Sequence, residues 1–479
     1  MNKFGIGQPV LRDEDIKFIS GKGLYTGDIY LENQTYMYVL RSNIAHGEIK
    51  NIDISEALNS EGVINIFIGK DLSEAGIKDM PTNFKAKNKD DSDMFTPERS
   101  AIAIDIVRHV GDPIAIIIAE TTEYAKNASE LIDVDIEELP SVTSASEAIK
   151  DDAPQVWNNA KNNLCFDWEM GEEEKANKAF ENADTVVEIE LINNRIVPNS
   201  METRGAIASY DKESNKYELR CSSQGVHSIR DRVSELLNIE AKDLRGITTD
   251  VGGGFGMKLF NYPEYICSLF AAKKIGRPVK WVSERTEAFL SDTHGRDHVT
   301  KAKMALDKDG IFLGIKINTT ANLGAYLSNF AIFVPTLAGT AMLAGCYKTP
   351  AIYVNVLGVF TNTPAIDAYR GAGRPEASYV IERLVDIAGM RTGLGPIEIR
   401  RRNLIPASAM PYKTALNHTY DSGDFISTME LAVEDSDWKG FKQRAASSLK
   451  NNKLRGIGLS TYIEACSGGG PEEATIILE

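Results

Sequence analysis

The chain has 479 residues, 43% of them hydrophobic and 25% charged, with a formal net charge of −15. That length exceeds one ordinary core and predicts two to four domains, and the composition excludes disordered and fibrous classes. The acidity argues against nucleic acid or an anionic membrane as a partner, because phosphate would be repelled. The opening residues, MNKFGIGQPVLRDEDIKF, carry no long apolar run after a basic residue, so no secretory signal is expected. No stretch has the apolar length of a membrane span. Residues 35–46 (TYMYVLRSNIAH) read as a strand leading into a loop, and 62–68 as a short buried strand. The polar run from Thr82 to Arg99 predicts a surface loop. Residues 110–139 read as strand, helix, strand, the helix marked by Ala125, Ala128, Leu131 and Ile132. About 140 residues thus predict a small α/β domain.

Residues 140–180 are polar and alanine-rich and read as a connecting region. Strands are predicted at VVEIELIN (186–193) and YELRCSS (217–223). VHSIRDRVSELLNI (226–239) predicts a helix with Ile229, Val233, Leu236 and Leu237 on one face. Residues 263–285 read as helix, glycine stop and strand; 298–326 read as two alternating strands around the turn DKDG. No internal repeat appears. Cys165, Cys221, Cys267, Cys346 and Cys466 are scattered, without a CxxC or Cys/His cluster. The chain itself is therefore expected to hold neither zinc nor an iron–sulfur cluster, and to reside in a reducing cytoplasm.

Two glycine-rich loops each follow a predicted strand and precede a helix: VGGGFGMK (251–258) and AYRGAGRPE (368–376). Glycine permits positive φ and close approach of a ligand to the backbone. A helix start offers free N–H groups and partial positive charge, which suits an anion. Arg370 and Arg374 could add charge-assisted bonds. A tight turn accounts for either loop alone equally well. The 251–258 loop is neither a dinucleotide fingerprint nor a P-loop. Phe255 between glycines is poor turn chemistry and suits a side chain that walls a pocket.

SSQGVHSIR (222–230), VGGGFGMK (251–258) and AYRGAGRPEASYVIERLVD (368–386) resemble the molybdopterin-binding large subunits of the xanthine dehydrogenase, aldehyde oxidase and aerobic carbon monoxide dehydrogenase family. So do residues 7–29, 108–142 and 194–211, in order along the chain. The resemblance implies a mixed α+β fold: an a/b hammerhead-type domain over 1–145, the first molybdopterin-binding domain over 146–410, and the start of the second over 411–479. It implies that Gln224 hydrogen-bonds an oxo ligand of molybdenum. It also implies that Gly254, Phe255 and Gly256 touch the cofactor beside the substrate channel, and that Ala368, Tyr369, Arg370 and Gly371 line the metal site. The bland alternatives are an exposed glutamine at a helix start and an arginine in a surface salt bridge.

The resemblance further implies a molybdenum–molybdopterin cofactor, in cytosine dinucleotide form, with FAD on a medium subunit and 2Fe-2S clusters on a small subunit. The reaction implied is oxidation of a small molecule with water as oxygen source. Gly371 stands where copper-containing carbon monoxide dehydrogenases carry their copper-binding cysteine. Leu259 stands where purine-oxidising relatives carry a glutamate. An aldehyde or another N-heterocycle is therefore the expected substrate. The family's general-base glutamate is expected beyond Glu479, so no catalytic residue is assigned within the chain. The remaining C-terminal half, as a continuation or a separate chain, would complete the site, and the isolated chain is expected to be inactive. Glu202 and Glu264 read as solvated or structural carboxylates rather than substitutes for that base. Competing readings are a truncated remnant or assembly module without chemistry, and an unrelated α/β enzyme for a phosphorylated substrate.

Overall fold

The computed structural model describes residues 7–465 and 475–476; Cys466 lies outside the described residues. The fold is mixed α+β and rests on two large sheets. The first has seven strands in the order Leu244–Thr248, Lys216–Cys221, Gly205–Asp211, Val279–Val282, Thr35–Arg41, Pro113–Ala119 and Val63–Ile68. Strands from both sides of residue 145 therefore share one sheet, joined where Thr35 and Tyr36 run parallel to Val279 and Lys280. The second has five strands in the order Leu164–Gly171, Ile352–Phe360, Phe312–Gly324, His298–Leu306 and Thr185–Asn193.

Side-chain alternation explains how the first sheet is covered on both faces. All seven residues of PIAIIIA (113–119) are buried. Ile116 and Ile118 enter a core with Met37, Phe67 and the helix Pro263–Ile275; Ala115, Ile117 and Ala119 enter another with Ala125 and Ala128. The helix Pro263–Ile275 is buried almost all round, from Pro263 to Ala272, and stops at Gly276 with φ +68°. Beside it packs the helix Val226–Leu237, through Ile229, Val233 and Leu236. The second sheet is covered by the helix Arg374–Thr392, whose Ala377, Ile381, Leu384 and Val385 enter its core.

Three segments differ from the sequence reading. The run 82–99 is not a free surface loop: Ala86 and Met94 are buried in the second core. Its backbone is tied down by Asn83 N–Asn329 O (2.8 Å) and Phe95 N–Cys165 O (2.8 Å). Residues 140–180 are not a mere connection. They contain the strand Leu164–Gly171 and the helix Glu173–Glu181. This strand lies at a sheet edge, so its polar residues face outward and hide the period-2 signal. Only Cys165 and Phe166 are fully buried, Phe166 against the space left by Gly358. The helix expected to include Leu131 and Ile132 ends at Ser129, after an N-cap in which Thr121 accepts the Tyr124 N–H. Leu131 is exposed, and Ile132 packs into the core from the chain that follows.

An ion-pair network lies where the first sheet meets its helices. Arg41 donates to Glu264 (2.6 Å) and Glu287 (2.7 Å); Arg204 donates to Glu264 (2.8 Å) and Asp292 (2.5 Å). Arg204 is wholly buried and stacks 3.6 Å above the Tyr262 ring. Burial alone would raise the Glu264 carboxyl, but Arg204 and Arg41 outweigh it and hold it down at about 2. Glu264 is thus structural, as expected.

A carboxyl depressed on folding contributes stability that is present above its ordinary value near 4.5 and is lost as pH falls toward 2. Glu264→Gln should cost about 3 kcal/mol or more at neutral pH, because two buried guanidinium groups lose a charged partner. Urea denaturation across pH 2.5 to 7 should show the wild type losing stability more steeply than the variant below about pH 4.5.

Candidate cofactor-binding site

Three loops converge at one exposed corner beside the first sheet. The strand Lys216–Cys221 runs out into Ser222, Ser223 and Gln224 before the helix Val226–Leu237. The strand Leu244–Thr248 runs out into the 251–258 loop. The third loop, 367–373, precedes the helix Arg374–Thr392 and is anchored by Asp367 N donating to His294 O (2.8 Å).

The loops are bonded to one another through the residues singled out by sequence. Gly256 N donates to Gln224 Oε1 (2.8 Å), and Arg370 N donates to Phe255 O (2.8 Å). Gly256 has φ +102°, and a Cβ there would lie 2.6 Å from Ala368 O. A Cβ on Gly254 would lie 2.4 Å from Gln224 Oε1. These glycines are therefore demanded by close approach, not only by turn geometry. Phe255 itself has φ +52°, a costly conformation for an aromatic residue, and the residue is 40% exposed. Tyr369 packs under Arg296, whose guanidinium lies 5.1 Å from the ring and donates to Arg370 O (2.9 Å).

Gln224, Gly254, Phe255, Gly256, Ala368, Tyr369, Arg370 and Gly371 thus fall together. Arg374 does not join them as an anion ligand. It turns back to Gly371 O (3.2 Å) and pairs with Glu464 (3.2 Å). Several supporting residues carried no legible signal. Asp367 is wholly buried; its Oδ1 accepts Ala368 N (2.6 Å) and its Oδ2 accepts Phe330 N (2.9 Å). Burial pushes its carboxyl up to about 6 against these donors. Arg296 is held by Glu376 (3.0 Å) across 80 positions of sequence. Lys258 lay in plain view inside the 251–258 loop, yet its complete burial is a tertiary fact. Glu202 is its partner, at 2.8 Å.

Residues 156–404 match the family described as molybdopterin cofactor-binding domain, and residues 20–140 match the aldehyde oxidase and xanthine dehydrogenase a/b hammerhead domain. The chain belongs to the molybdopterin-binding large subunits of the xanthine dehydrogenase family. It is 32% identical to the carbon monoxide dehydrogenase large chain of Hydrogenophaga pseudoflava, over 97% of this chain but 58% of that protein's length. It is 26% identical to the nicotinate dehydrogenase large molybdopterin subunit of Eubacterium barkeri, over 90% of this chain and 96% of that protein. Quinoline 2-oxidoreductase from Pseudomonas putida 86 superposes with a TM-score of 0.86 at 30% identity, covering 93% of this chain and 56% of that one.

The corner of this molybdopterin-binding subunit has donors suited to an anionic, oxo-bearing group. Gln224 is exposed and uses Oε1 internally, so its Nε2 has no partner among the described residues. The Arg370 guanidinium is likewise exposed and unpaired among the described residues. The glycines around Phe255 leave backbone open to close approach. Those same residues hold no metal cluster of their own: no group of three or more His, Cys, Asp or Glu converges among the described residues.

Gly256→Ala should break the Gly256–Gln224 bond and cost about 1–3 kcal/mol through its positive φ and the clash with Ala368. Gly276→Ala, with φ +68° but open space around it, should cost about 1–2 kcal/mol and leave Gly256 amide exchange unchanged. Denaturation combined with amide exchange separates the two.

Proposed function

We propose that this chain forms the cofactor-facing front part of a molybdenum hydroxylase that oxidises an N-heterocycle or an aldehyde with water as oxygen source. The observation that carries the reading is the pair of exposed donors, Gln224 Nε2 and Arg370, without a partner among the described residues and held against the Phe255 loop by bonds to main-chain amides. The molybdopterin group, when bound, supplies the redox and oxygen-transfer chemistry. Gln224 would donate to an oxo ligand, Arg370 would face cofactor or substrate, and Phe255 would wall the substrate channel. Cytosine dinucleotide is the proposed form of the pterin. FAD and 2Fe-2S clusters on partner subunits would carry electrons away.

Among solved and curated relatives, quinoline 2-oxidoreductase and the nicotinate enzyme support an N-heterocycle. Carbon monoxide is disfavoured despite the similarity to its dehydrogenases. Gly371 has φ +100°, and a Cβ there would lie 2.4 Å from Pro375 Cγ, so a cysteine would fit badly. Leu259 presents hydrocarbon where a purine-binding glutamate would be needed, and it packs at the edge of the first core.

The general base and the rest of the site would come from further polypeptide, as a continuation or a second subunit. The Eubacterium barkeri subunit, matched over 96% of its length, supports a second subunit. The isolated chain is accordingly proposed to be inactive. The four cysteines among the described residues are free, buried thiols, which accords with a reducing cytoplasm as its compartment.

The test is to purify the chain with its natural partners and measure molybdenum, pterin and oxidation of quinoline, nicotinate and aldehydes in 18O-labelled water. The expected result is stoichiometric molybdenum, label in the product, and loss of about 100-fold in kcat for Gln224→Ala, as for removal of one preorganised donor. Absence of molybdenum from the assembled complex, or turnover of carbon monoxide alone, would overturn the reading.

A further inference from the structure

The carboxylate of Glu202 and the ammonium of Lys258 form an ion pair beneath the candidate site. Lys258 is wholly buried and the Glu202 side chain is 14% exposed; the two meet at 2.8 Å. A buried charge of this kind is unfavourable to desolvate, and a hydrocarbon side chain would fill the space without that penalty. Burial pushes the Lys258 ammonium down, and Glu202 opposes the shift. What the pair touches gives it a role. Glu202 Oε2 also accepts Gly252 N (2.7 Å), and Glu202 N donates to Gly252 O (3.0 Å). The pair therefore grips the 252–258 loop at both ends. Lys258 O in turn accepts Gln224 N (3.0 Å), while Gln224 Oε1 accepts Gly256 N.

We infer that the Glu202–Lys258 pair is a positioning device that holds Gln224 and the Phe255 loop in one fixed relation, so that Gln224 Nε2 stays aimed outward. This rests on the reading of Gln224 as a cofactor contact. A glycine-rich loop has the most backbone freedom to lose, and its own hydrogen bonds are few. A single charge-assisted clamp at its ends confines it without a side chain entering the space above. Tyr262 assists from the far side, its hydroxyl donating to Met257 O (2.9 Å).

Lys258→Met and the double variant Glu202→Gln/Lys258→Met would be compared with wild type. The double variant leaves no lone buried charge, so it carries the test where the single variant fails to fold. Amide exchange would be followed at Gly252, Gln224 and Gly256, with Ile266 to Ala271 in the buried helix as reference. Exchange at the three loop amides should rise by about tenfold or more, the loss of one charge-assisted bond, while the helix amides stay protected. In the assembled complex the Mo(V) electron paramagnetic resonance signal should change shape, and kcat should fall with KM little altered. Unchanged exchange and an unchanged signal would overturn the inference. So would equal loss of protection in the helix, which would make the pair a general support. A wild-type complex without molybdenum would remove the functional reading, yet the exchange measurement would still decide whether the pair holds the loop.

Discussion

The Glu264 carboxylate, shared between two buried arginines, is the constraint on which the rest of the site depends. It pins the start of the helix Pro263–Ile275 to Arg41 at the end of one strand and Arg204 just before another. Arg204 then stacks on Tyr262, and Tyr262 holds the exit of the 251–258 loop through Met257 O. Charge, aromatic face and backbone carbonyl thus form one line from the middle of the first sheet to the candidate site. A buried guanidinium is tolerated only with full pairing, and Arg204 has it: Glu264, Asp292 and Ser291 all accept from it.

Each bond that joins the site's loops starts from a main-chain amide. Gly256 meets Gln224, Phe255 meets Arg370, and Asp367 gathers the amides of Phe330 and Ala368. Bonds of this kind leave the Gln224 amide nitrogen and the Arg370 guanidinium without a partner among the described residues. They also explain the glycines, since any Cβ at 254 or 256 would occupy the space through which the loops touch. The exposure of Phe255 follows from the same geometry: its positive φ turns the side chain away from the core that its neighbours Met257 and Lys258 enter.

The family and the loops that meet at the corner were legible because their local sequence is unusual. A phenylalanine set among four glycines, or two arginines around Gly-Ala-Gly, is rare enough to identify. The predicted strands at 186–193 and 217–223 and the helix at 226 were legible because their apolar periods are clear, and the helix at 263 because a glycine stops it. The strand Leu164–Gly171 was not, because an edge strand hides its period behind polar residues. The burial of Ala86 and Met94 within a polar run was equally hidden, since two apolar residues eight positions apart make no pattern.

Sequence by itself determined the mixed fold class, the order of the main elements and the identity of the loops that meet at the site, because those depend on local composition and spacing. Tertiary structure alone decided which charges pair. Glu264 with Arg41 and Arg204, Glu202 with Lys258, and Arg296 with Glu376 are joined across 223, 60, 56 and 80 positions. No local pattern encodes such distances. Burial makes an unpaired charge intolerable, and only the folded chain settles which partner removes the cost.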